Sequence, residues 1–131
     1  MESNIKLLEQ ILSALKEKHK QTDNLMTLTK ELERVMETND PESFGAVLSM
    51  RHTSMAEIDR LNDEVRIILE GMEQASREKI IMILSPELPE GILTRECQVE
   101  SEIFETNRMT MSILRRMVEL DEKINKRIKG G

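Results

Sequence analysis

Tryptophan and tyrosine are absent from this chain and phenylalanine occurs twice, which rules out a rigid aromatic core. The single cysteine, Cys97, cannot form an internal disulfide, and no charged-then-apolar leader precedes Met1-Glu2-Ser3-Asn4, so a reducing, cytoplasmic setting is expected. The five glycines, at 45, 71, 91, 130 and 131, are isolated or terminal, which leaves no GxGxxG or GxxxxGK phosphate loop. The longest apolar run, Ile80-Ile81-Met82-Ile83-Leu84, falls far short of the roughly 20 residues needed to span a bilayer. Lysine and arginine are outnumbered by acidic residues, giving a formal charge of −6 that disfavours nonspecific binding to nucleic acid.

Groups that could carry chemistry are equally sparse. His19 and His52 stand far apart with no HExxH, CxxC or paired-ligand spacing, and each reads more simply as a packing or solvated histidine than as a metal ligand. Cys97 has no evident base partner and reads as an inert thiol. Glu-x-x-His pairs, which a metal-carboxylate helical bundle needs, are missing. No catalytic residue, metal or cofactor is expected, and the chain reads as a binding protein rather than an enzyme.

What the sequence has is helix. Its 131 residues, 38% hydrophobic and 34% charged with three prolines, suit a single domain of long amphipathic helices, with residues 129–131 frayed. Apolar residues recur at three- and four-residue spacing in three blocks. The first, residues about 3–37, carries Ile5, Leu8, Leu12, Leu15, Leu25, Leu28, Leu32 and Val35, and its phase slips near His19 and Thr22, its weakest packed stretch. The turn Thr38-Asn39-Asp40-Pro41 starts the second, either with Asp40 as N-cap and Pro41 in the first turn or with Asn39 capping and Glu42 completing a capping box. That block, residues about 41–84, carries Phe44, Val47, Met55, Ile58, Leu61, Val65, Ile68, Met72 and Ala75, with Arg51 where an apolar residue is expected and a bend or break plausible near Gly71. Ser85-Pro86-Glu87-Leu88-Pro89-Glu90-Gly91 separates it from the third block, residues about 93–128, which is acidic early and basic late, as the helix dipole favours. Ten methionines make the apolar surface adaptable.

An antiparallel three-helix bundle follows. With short connections the second helix outruns the other two by on the order of 13 Å, leaving ends two helices thick. The run Ile80 to Leu84 at one such end must be covered by the third helix, by a partner, or by a fold-back at Gly71. The third helix has the widest apolar face: Met109, Ile113, Leu114, Met117, Val118, Leu120, Ile124 and Ile128. Much of it can simply pack on the second helix. The positions beyond a two-per-heptad seam, Leu114 and Val118 with the methionines, are the candidate groove for a helical segment of a protein partner.

Three segments carry a family resemblance: Ile5-Lys6-Leu7-Leu8-Glu9-Gln10-Ile11-Leu12, Arg51-His52-Thr53-Ser54-Met55-Ala56-Glu57-Ile58-Asp59-Arg60-Leu61-Asn62, and Leu114-Arg115-Arg116-Met117-Val118-Glu119-Leu120-Asp121-Glu122-Lys123-Ile124-Asn125. In order and spacing the chain resembles the FlgN/FliT group of flagellar type III export chaperones. The resemblance implies a small cytoplasmic chaperone that binds the C-terminal helical part of a hook-filament junction or filament cap protein before export. The alternative is a structural coiled-coil or bundle protein that closes its open ends by self-association.

Overall fold

A computed structural model describes residues 2–85 and 98–130, which form four helices: α1 (Glu2–Met36), α2 (Pro41–Glu70), α3 (Gln74–Ile83) and α4 (Gln98–Gly130). The chain is all-α, with no strand among the described residues. The Pro86 to Gly91 turn, the expected helix start near 93, Cys97 and Gly131 lie outside the described residues.

At the first turn Asp40, not Asn39, is the N-cap of α2. Its carboxylate accepts from the Ser43 backbone N–H (3.4 Å) and hydroxyl (2.7 Å), and Pro41 sits in the first turn, where its missing N–H costs nothing. Asn39 takes the left-handed conformation (φ 54°), which asparagine tolerates, and so turns the chain between α1 and α2.

The second block is not one helix. α2 has 30 residues against 35 in α1 and 33 in α4, so the expected overhang does not exist. Gly71 still has right-handed helical dihedrals (φ −84°, ψ −2°) and its N–H bonds to Ile67 and Ile68. The reversal comes two residues later, at Glu73 (φ −58°, ψ 141°), after which Gln74 restarts the helix. Burial explains the fold-back. Met72 turns into the core, and Ile80 and Ile83, three apart and each 1% exposed, bury the inner face of α3, while Ile81 and Met82 point out. Of the three expected covers for the Ile80 to Leu84 run, the chain uses its own fold-back, together with α4.

Three apolar clusters stack along the molecule. The largest joins Leu8, Ile11, Leu12, Ala14 and Leu15 of α1 to Leu61 and Val65 of α2, Met72 with Ile80 and Ile83 of α3, and Ile103 and Phe104 of α4. Leu25, Ile58 and Met117 form the second; Leu32, Val35, Val47 and Ile124 form the third. Read in order, these clusters show α2 antiparallel to α1 and α4 parallel to it. The stretch around His19 and Thr22 is polar between the first two clusters, and its hydroxyls and imidazole find partners. The Thr22 hydroxyl donates to Lys18 O (2.7 Å), that of Thr110 to Thr106 O (3.1 Å), and His19 Nδ1 lies 3.2 Å from Thr110 Oγ1.

α1 is the central helix, packed closely along both α2 and α4, whereas α2 and α4 stay further apart. Arg51, the residue that broke the apolar pattern, reaches across that gap to both carboxylate oxygens of Asp121 (3.0 and 3.1 Å). Of the ten methionines, only Met72 and Met117 are buried among the described residues, and Met50, Met55, Met82 and Met109 are exposed. Met26 and Met36 are half-buried against two of the clusters and Met111 is half-buried, so the adaptable side chains are divided between seams and surface.

Candidate functional site

The eight expected binding residues do not form one surface. Ile113, Met117 and Ile124 are buried in the chain's own clusters, and half-buried Leu120 packs against the third. Leu114 is half-buried against Leu25, Ile58 and Met117. Met109, Val118 and Ile128 are exposed. Met109 lies about 160° around the helix from Met111, so it cannot share a contact with Leu114 and Val118.

A second stripe on α4 makes better sense of the exposed residues. Glu100, Phe104, Asn107, Met111, Leu114 and Val118 follow one another at four- and three-residue spacing and therefore share a face. Its first half is covered by α3: Lys79 Nζ pairs with Glu100 (3.0 Å), and Asn107 Nδ2 donates to the carbonyl of Leu84 (3.2 Å) just after α3 ends. Burial then falls along the stripe. Glu100, Phe104 and Asn107 are buried, Met111 and Leu114 are half-buried, and Val118 is 56% exposed. The open part is a shallow groove lined by Met111, Leu114, Arg115, Val118 and Glu119.

The facing edge of α2 has the same character. Phe44, Leu48, Arg51, Met55, Ile58 and Asn62 run along one side of that helix at three- and four-residue spacing. The Arg51–Asp121 pair fixes this side as the one turned toward α4. Phe44 and Leu48 are half-buried, and Met55 is exposed. From Asn107 to Asp121 the gap is about 20 Å long, nearly four helical turns. Arg51 Nε, buried within it, has no hydrogen-bond partner among the described residues.

Elsewhere charged groups pair both between α1 and α4, where Arg127 meets Glu33 and Glu37, and along single solvated helix faces. Arg60 pairs with Glu57 (2.6 Å) and Glu64 (3.3 Å), and Arg34 with Glu31, each holding its carboxylate partner within one helix. The Arg60 and Arg34 guanidinium groups hold the Glu57 and Glu31 carboxyls below the usual range, mainly by hydrogen bonding. The Ser43 hydroxyl does the same for Asp40. Lys18 differs: burial alone pushes its ammonium below the usual lysine range.

Sequence reasoning passed over Lys18 and placed Arg51 without a role. The signal for Lys18 was present in the spacing, since residues 11, 18, 25 and 32 fall seven apart and Ile11, Leu25 and Leu32 are all buried. His19 faces Thr110 rather than a second ligand, and no group of three His, Cys, Asp or Glu side chains among the described residues is placed to hold a metal ion. No described helix is long and apolar enough to cross a membrane. The chain matches no family model, and no curated protein or solved structure matches it.

Proposed function

We propose that this protein is a cytoplasmic export chaperone of the FlgN/FliT type, a bundle of three long helices that binds the C-terminal helical segment of a late flagellar subunit. The clients are a hook-filament junction protein or the filament cap protein, held back from premature assembly and delivered for secretion. The observation that carries this reading is the α4 stripe that α3 covers from Glu100 to Asn107 and leaves open from Met111 to Val118. α3, a short helix of the chain itself, lies on the first half of this α4 stripe, and the open half offers the same kind of face to a second helix end to end with it. An unassembled filament-type subunit exposes such a helix, and shielding it needs no catalytic group.

The resemblance supports the same reading in one further respect. The middle and last resembling segments meet in space through Arg51 and Asp121, which tie α2 to α4 at the far end of the open groove. Titration calorimetry of the purified protein against hook-filament junction and filament cap subunits tests the proposal. One of them is expected to bind stoichiometrically. Absence of heat with every such subunit would remove the flagellar reading.

A further inference from the structure

The inner face of α1 packs against both α2 and α4, and its buried series Ile11, Leu25 and Leu32 is interrupted at the same seven-residue interval by Lys18. Half-buried Lys18 pairs with no carboxylate among the described residues. Its register is set by its neighbour: His19 lies against Thr110 of α4, so Lys18 stands level with the turn between Asn107 and Met111, where α3 stops and the groove opens. About 16 Å further along α4 lies Asp121, held by Arg51, whose buried Nε lacks an acceptor. Of the two cations, Arg51 has its carboxylate in Asp121, whereas Lys18 has none among the described residues.

Resting on the reading of this groove as a site for a partner helix, we infer that its occupant is an amphipathic helix carrying a carboxylate within its apolar stripe, and that Lys18 pairs with that carboxylate. An apolar stripe alone would complete the burial of the ammonium without compensation, and a basic one would add repulsion. A carboxylate turns the same burial into a charge-assisted hydrogen bond. Lys18 is thereby a specificity-determining residue. It rejects the purely apolar helices that Met111, Leu114 and Val118 would otherwise accept.

Two synthetic helical peptides test this, identical in a Leu/Met heptad stripe and differing only in Glu or Gln at its central position. The Glu peptide is expected to bind the wild-type protein about tenfold more tightly than the Gln peptide, and Lys18→Met to abolish the difference. Val118→Asp, a change at an exposed position, weakens both peptides. Ile67→Asp, exposed on another face of α2, weakens neither. Equal affinity of the two peptides for the wild-type protein, a preference retained by Lys18→Met, or no binding of either peptide would overturn the inference. So would a sedimenting dimer that Val118→Asp dissociates, which would assign the groove to a second copy. The two proposals fail separately. Peptide discrimination without binding of any flagellar subunit removes only the flagellar reading, whereas a flagellar subunit bound equally by wild-type protein and Lys18→Met removes only the role of Lys18.

Discussion

Lys18 costs the unbound molecule stability. Burial disfavours its charged form, so the unfolded chain holds the proton more tightly than the folded one. The cost is present in full below the folded value and is relieved as the pH rises toward the ordinary lysine value of 10.5. Lys18→Met keeps the stem and removes the charge, so thermal melts at neutral pH should show a midpoint a few degrees higher than wild type, with the gap narrowing at alkaline pH. Asp40 has the opposite sign. Its carboxyl is held low by Ser43, so its contribution is present above the unfolded aspartate value and lost as the pH falls through the folded one. Asp40→Ala should therefore lower the melting midpoint at neutral pH, and the loss should shrink as the pH falls below the aspartate range and the folded carboxylate takes up its proton.

At the level of elements, the break between α2 and α3 belongs to burial rather than to glycine. A Cβ at Gly71 would meet Ile68 O at 3.5 Å and Ile67 O at 3.9 Å, ordinary contacts, and the backbone there is right-handed. Gly71→Ala should change the unfolding free energy by no more than about 0.5 kcal/mol in denaturant titrations. Ile80→Ala should cost about 2 to 5 kcal/mol, because Ile80 fastens α3 into the largest cluster. The sequence made the end of α1 and the α1–α2 turn legible, since Asp40-Pro41 and the apolar spacing act locally. It left the fold-back open because the apolar stripe of residues 41–84 runs through Met72 without interruption. Only the burial of Ile80 and Ile83 against α1 and α4, a long-range gain, decides that the stripe turns back at Glu73.

For the whole molecule, the same distinction governs the site. The α4 face was legible as unusually wide, and the seam spacing already set Leu114 and Val118 apart from the residues that pack inward. Ile113, Met117 and Ile124 went to the core beside α1, and Met111, Leu114 and Val118 lie at the open end of the stripe that α3 half covers. Arg51 was legible only as an anomaly, because its partner Asp121 lies 70 residues away. The central claim is that this open half-groove receives a helix of a flagellar export client. Its most direct test is calorimetric titration of hook-filament junction and filament cap subunits into wild-type protein and into Val118→Asp, with melts to confirm that both fold. The account predicts stoichiometric binding of one subunit to the wild-type protein and at least a tenfold loss with Val118→Asp, on the order of 1.4 kcal/mol. Binding that Val118→Asp leaves unchanged, or no binding of any such subunit to the wild-type protein, would contradict it.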